Sequence, residues 1–157
     1  MMMLRKIISG GQTGADRTGL ECARKLGLET GGTAPRDWRT ENGPDPSLEK
    51  FGLTQSSSSS YPPRTRANVR NSDATVWFGT VGSPGYWCTI GASGNSGLPF
   101  YQNPTPSEFK KLADRFAVIN IAGNRASKNP RVIGIVRVAF AALEPTIEER
   151  KVKMTTR

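Results

Sequence analysis

The 157-residue sequence contains no histidine. General acid–base catalysis near neutral pH thereby lacks its commonest agent, and metal sites built on imidazole are excluded. This weighs against an enzyme while leaving open one that works through carboxylates. Cysteine is nearly as scarce: Cys22 and Cys88 are too few for a disulfide framework or a zinc cluster. No apolar stretch approaches the roughly 18 residues of a membrane span. The apolar run before Gly10 is too short for the core of a secretory leader. The expectation is a cytoplasmic protein with no membrane partner.

Acidic residues are also in deficit, 13 against 22 lysines and arginines, for a net charge of +9. Such an excess suits an anionic partner, either nucleic acid or a phosphorylated small molecule. The cations are scattered, and Arg150-Lys151-Val152-Lys153 is the one small cluster. Aromatics make up 8% of residues and do not interleave with basic positions as a base-stacking platform requires. The balance favours the small molecule over nucleic acid.

The remaining sequence alternates short apolar strands with helices. Lys6-Ile7-Ile8-Ser9 reads as a buried first strand and residues 14–26 as a helix, with Thr13 and Asp16 spaced as a capping box and Gly27 as its C-terminal glycine. A glycine-weakened strand over 28–34 follows. Residues 35–60, with three prolines and the Ser56–Ser60 run, read as irregular: a flexible surface loop or a segment that covers a ligand. A helix over 61–71, a strand over 74–79, a short helix that follows the Thr80–Gly85 loop and runs through Ser96, and a strand over 98–101 come next. Pro99 places that last strand at an edge or marks its start. A short helix over 106–113 precedes a strand over 116–122, apolar throughout except for Asn120. The final helix begins at Pro130 and gathers Val132, Val136, Ala139, Phe140 and Leu143 on one face. Residues 1–143 form one domain, and 144–157 read as a charged, frayed tail. The pattern implies an α/β fold with a mostly parallel sheet of about five strands and helices on both faces.

Ligands of such sheets bind beyond the carboxyl ends of the strands. Four loops fall there. In the first, Gly10, Gly11 and Gly14 allow positive φ and close backbone approach, while Gln12 and Thr13 add side-chain donors and a helix begins. This reads as a phosphate turn or as an ordinary tight strand–helix junction. It matches neither the dinucleotide fingerprint nor a P-loop. In the second, Arg36 stands where a dinucleotide fold would carry an acid for ribose. The third, Thr80 to Gly85 with Ser83, is another glycine-rich junction suited to an anion or a pterin edge. The fourth runs from Gly123 to Pro130 and offers Arg125 and Lys128, with Asn129 as a cap for the last helix. Asn68, Ser72 and Asp73 lead into the third loop and could buttress it, whereas Arg66 and Arg70 suit a solvated face. Cys88 reads as a half-buried structural thiol and Cys22 as core.

Several of these segments resemble the molybdenum cofactor carrier proteins. The resemblance rests on Ile7-Ile8-Ser9-Gly10-Gly11-Gln12-Thr13-Gly14-Ala15-Asp16-Arg17, Gly31-Gly32-Thr33-Ala34-Pro35, Glu41-Asn42-Gly43-Pro44, Arg64-Thr65, Asn68-Val69-Arg70, Ser72-Asp73-Ala74-Thr75 and Asn120-Ile121-Ala122-Gly123-Asn124-Arg125-Ala126-Ser127. It implies a Rossmann-like, doubly wound fold and a homo-oligomer, dimer or tetramer. It also implies binding of the molybdenum cofactor, a phosphorylated pterin dithiolene, for storage and delivery to molybdenum-enzyme apoproteins. Carried over by position, the phosphate falls on Gly10, Gly11, Thr13 and Gly14, with Arg36, Ser83, Gly85 and Arg125 toward the rest of the ligand. Relatives of the lysine-decarboxylase type hydrolyse nucleotides through a Pro-Gly-Gly-x-Gly-Thr motif. Here Ser83-Pro84-Gly85-Tyr86-Trp87 departs from it after one glycine. Glycines in Gly91–Gly97 also leave the length of that helix open. Two alternatives remain beside the carrier: a nucleoside monophosphate N-glycosidase using Asp16 or Asp73, and a non-catalytic nucleotide-sensing domain.

Overall fold

The computed structural model describes residues 2–155, with the side chains of 146–150 and 153 outside the described set. In chain order the elements are β1 (Lys6–Ile8), α1 (Ala15–Lys25), β2 (Glu29–Ala34), a hairpin of β3 (Arg39–Thr40) and β4 (Gly43–Pro44), and β5 (Leu53–Gln55). There follow α2 (Tyr61–Arg70), β6 (Ala74–Phe78), α3 (Pro84–Ser96), β7 (Phe100–Gln102), α4 (Pro106–Arg115), β8 (Val118–Gly123), α5 (Val132–Ala141) and α6 (Glu144–Thr155). Short 3-10 turns span Arg36–Trp38 and Pro46–Phe51.

The main sheet has the order β5-β2-β1-β8-β6-β7, and every pairing in it is parallel. The chain winds outward from β1 through β2 to β5, crosses to β6 and β7, and returns to lay β8 between β1 and β6. Right-handed crossovers of opposite progression put α1 and α2 on opposite faces. The result is a Rossmann-like α/β fold with six strands in the sheet rather than five. The extra strand, β5, lies in the segment read as irregular. Its three residues pair with β2 at Gly32↔Leu53 through Ala34↔Gln55, too short a run to register as a strand in sequence.

Side-chain alternation along the strands sorts the two faces. Ile7, Val76, Phe78, Ile119 and Ile121 join one core with Phe109, Phe140 and Leu143, beneath α1, α4 and α5. All five residues expected on the apolar face of the last helix are buried there. The opposite face carries Thr75, Trp77, Asn120 and Ala122 toward α2 and α3. A second cluster of Leu20, Ala34, Leu48 and Leu53 anchors the 35–60 segment. The serine run is ordered by local hydrogen bonds, with the Ser56 and Ser58 hydroxyls accepting from the amides of Ser58 and Ser60.

Several local expectations differ from the structure. Thr13 does not cap α1. The N-cap is Gly14, at φ 84°, and the Thr13 hydroxyl instead accepts from Ala126 N–H and donates to Glu41. Asn129 does not cap α5, because its amide donates to Asn124 Oδ1 and the helix starts at Val132. The glycines of 91–97 do not shorten α3, which runs to Ser96 and closes on Gly97 in the left-handed region. The charged segment after 143 is helical as α6, and residues 156–157 lie outside the described residues. No helix among the described residues is long and apolar enough to cross a membrane.

Candidate functional site

A cleft of about 670 Å³ opens at the carboxyl ends of β1, β6 and β8, within the size range of small-molecule sites. It sits where the winding reverses, with β1 leading one way and β6 the other. Its floor is Trp77, Asn120 and Ala122. The α2 wall gives Tyr61, Arg64, Thr65 and Asn68. The α3 wall gives Ser83, Gly85, Cys88 and Thr89, and the loops give Gln12, Thr80, Asn124, Arg125 and Lys128.

Of the residues singled out from sequence, the cleft brings together Gln12, Asn68, Thr80, Ser83, Gly85 and Arg125. Gln12 Oε1 accepts from the amides of Thr13 and Glu41, which leaves its Nε2 without a protein partner among the described residues. Asn68 is spent on structure: its Oδ1 accepts from Thr33 N–H and its Nδ2 donates to the Thr33 carbonyl.

Gly10, Gly11, Thr13 and Gly14 do not line the cleft. The Arg64 guanidinium lies where a side chain on Gly10 would project, Leu48 and Leu53 crowd Gly11, and the Asn124 carbonyl sits 2.3 Å from where a Gly14 Cβ would stand. Several of the turn's amides have protein partners: Gly11 N–H donates to Ser9 Oγ, Gln12 N–H to Asp16, Thr13 N–H to Gln12 Oε1 and Ala15 N–H to the Asn124 carbonyl. Protein groups therefore fill the space that these glycines open. Arg36 bonds the Ser57 carbonyl at the β5 side. Ser72 bonds the Val69 carbonyl, and Asp73 accepts from Val118 N–H where β8 begins, so both sit at the far edge of the sheet. Arg66 and Arg70 are exposed, as read.

The third loop stays open to ligand. Ser83 caps α3 by accepting from Tyr86 N–H at 3.2 Å, while the amides of Ser83 and Gly85 have no protein partner among the described residues. This helix start therefore presents free donors and a positive dipole end to the cleft. The loop is locked to its neighbour by Thr80 N–H donating to Asn124 Oδ1 at 2.6 Å. Asn124 Oδ1 would lie only 2.1 Å from a Cβ on Gly79, so that approach requires glycine.

Charge in the cleft is lopsided. Arg64, Arg125 and Lys128 face a single carboxylate, Asp16. Asp16 and Arg64 pair at 3.0 Å with side chains 5% and 14% exposed. Burial pushes the Asp16 carboxyl above its ordinary range, opposed by Arg64 and by hydrogen bonds from Gln12 and Gly10. Arg64 Nε is buried without a partner. The guanidiniums of Arg39, Arg64 and Arg125 lie 4.7, 5.3 and 5.8 Å from the Tyr61 ring centre. The Arg125 guanidinium makes no hydrogen bond to protein among the described residues, although its carbonyl accepts from the Lys128 and Asn129 amides.

Glu41 ties these loops together. Its carboxylate accepts from the hydroxyls of Thr13 and Ser127 and from Ser127 N–H. Burial would raise its pKa, but those hydrogen bonds and nearby Arg125 outweigh it and hold the group below its ordinary value. Cys88 is half-buried on the cleft wall, and Cys22 is half-buried against the main core, where burial raises its thiol. Among the described residues no group of three or more His, Cys, Asp or Glu side chains could hold a metal ion.

Sequence reading passed over Tyr61, Trp77 and Thr89. Arg64 went unread as a site residue because its partner is 48 positions away. Asn120 did leave a signal, as the one polar residue in an apolar strand.

A solved structure of a protein designated a molybdenum carrier, from Syntrophus aciditrophicus SB, superposes with a TM-score of 0.79. It shares 28% identity over 90% of this chain and 95% of its own. No curated protein matches the chain. The circularly permutated YpsA SLOG family matches over residues 7–144, and the chain belongs to that family.

Proposed function

We propose that the chain binds, protects and delivers the molybdenum cofactor, with the phosphorylated pterin as cargo and no reaction performed on it. The observation that carries this is the cleft's composition: three cations against one paired carboxylate, beside an open helix start. The similarity to a protein designated a molybdenum carrier supports it. In this reading the phosphate rests on the Ser83 and Gly85 amides, with Thr80, Arg125 and Lys128 around it. The ring system lies inward on Trp77, between α2 and α3. Thiol and oxo groups of the cargo face the Cys88 side of the cleft. The protein then works in the cytoplasm as a homo-oligomer and hands its cargo to molybdenum-enzyme apoproteins.

Anaerobic loading followed by acid iodine oxidation and fluorescence tests it. A fluorescent pterin should be recovered from the loaded protein and lost from Arg125→Ala. Protein that never retains the cofactor overturns the reading.

One observation favours a second reading, an N-glycosidase acting on nucleoside monophosphates. Asp16 is a cleft carboxylate whose burial raises its pKa, a property shared by general acids. Asp73, the other sequence candidate, lies at the opposite sheet edge. Release of free base from a nucleotide panel, abolished by Asp16→Asn, would support this reading. Calorimetry against ADP-ribose-like ligands separates a purely nucleotide-sensing protein from both.

A further inference from the structure

We infer that Asn120 is the specificity residue of the cleft: its amide reads the hydrogen-bonding edge of a planar nitrogen heterocycle. This rests on the reading of the cleft as a site for a phosphorylated ring compound, and it goes further by naming the group that recognises the ring.

Asn120 sits in the central strand β8, between Ile119 and Ile121, and is 2% exposed. Strands buried on both faces are ordinarily apolar, because a buried amide is stable only when its hydrogen bonds are made. Asn120 Nδ2 donates to Thr75 Oγ1 at 3.2 Å on the neighbouring strand. That fixes the side chain but uses only one of its two N–H groups. Its carbonyl oxygen has no hydrogen-bond partner among the described residues, and the residue lines the cleft.

Three other polar side chains of the helical walls, those of Thr65, Thr89 and Asn68, are already committed to protein. Thr65 donates to the Tyr61 carbonyl, Thr89 to the Gly85 carbonyl, and Asn68 is held by Thr33. Asn120 thus keeps an acceptor beside a donor, held rigid, further down the strand than the loop that carries Arg125. A donor–acceptor pair fixed in a plane complements the adjacent N–H and ring acceptor of a pterin or purine. Trp77, on the same face of the next strand, gives that ring an aromatic neighbour. Leaving the Asn120 carbonyl unpaired in a bound complex costs affinity, so rings lacking the matching edge are rejected.

The test uses the full-length protein and four probes: 6-hydroxymethylpterin phosphate, guanosine monophosphate, adenosine monophosphate and methyl phosphate. Wild type should bind at least one ring-bearing phosphate about 10- to 100-fold more tightly than methyl phosphate. Asn120→Leu should erase that increment, the affinity ratio of ring-bearing phosphate to methyl phosphate falling to about 1. Asn120→Ser serves as a second variant, with thermal melting to show that both are folded. An increment that survives in both variants overturns the inference. So does a wild type that gains nothing from any ring. An increment from a nucleotide but not from the pterin, lost in the variants, upholds Asn120 and sinks the pterin-carrier reading instead.

Discussion

Asp16 and Arg64, 48 residues apart in sequence, meet at 3.0 Å as a buried ion pair in the cleft. The pair joins the start of α1 to the middle of α2 across the sheet edge. Removing one partner of a buried pair strands the other charge and typically costs about 3–5 kcal/mol. Arg64→Met should therefore lower stability by several kcal/mol, whereas Asp16→Asn, which retains an acceptor, should cost less. Urea unfolding of the two variants checks the order.

The same pair gives a pH signature. Asp16 titrates above its ordinary 3.8 in the folded protein. A raised pKa contributes stability that is full below 3.8 and is lost as pH rises through the folded value. Wild type should thus lose stability relative to Asp16→Asn as pH climbs from about 3.8 toward that higher value. Melting temperatures of both proteins across the acidic range would reveal it, and parallel curves would refute it.

Glu41 should behave with the opposite sign. Its pKa lies below the ordinary 4.5, so its contribution is present above 4.5 and fades as pH falls through the folded value. Glu41→Gln should loosen the contact among the Thr13, hairpin and Ser127 segments. Hydrogen exchange should accelerate at Ala126 and Ser127, whose amides bond Thr13 and Glu41, while core strands stay protected.

Arg125 is a cation of the cleft whose guanidinium has no hydrogen bond to protein among the described residues. Arg125→Ala should weaken a phosphorylated ligand by about tenfold or more, since hydrogen bonds to charged groups contribute roughly 1.5–3 kcal/mol. Its melting temperature should hardly move. Titration at two salt concentrations should show a shallower salt dependence than wild type.

Leu48 tests the 35–60 segment. It is fully buried against the Gly11 turn and Leu53. Leu48→Ala should cost about 2–5 kcal/mol, as in other buried positions. A loop without a core would tolerate the change.

The major architecture was legible because it is written in period. The strand at 74–78 and the buried face of α5 are long enough for alternation and helical spacing to declare themselves. What escaped depends on groups distant in sequence. Thr13 and Asp16 have the spacing of a capping box, but Glu41 and Arg64 claim them from the side. The glycines of the first loop look like a ligand cradle, yet protein atoms occupy the space they open. The open helix start belongs to Ser83, at the third of the four loops read from sequence. Asn120 was visible as an interruption, but only its place on the α2–α3 face gives the interruption meaning.

The insertion of β8 between β1 and β6 has a consequence for how the molecule is made. Until residues 118–123 pair, the strands on either side each present an unpaired inner edge. On the ribosome, neither half of the sheet can complete its ladder before the last strand emerges. Asn120 and Ala122 of the cleft floor, together with Arg125, arrive in that same late step. Binding competence and completion of the sheet are therefore one event, and contacts of such long sequence separation make that event slow.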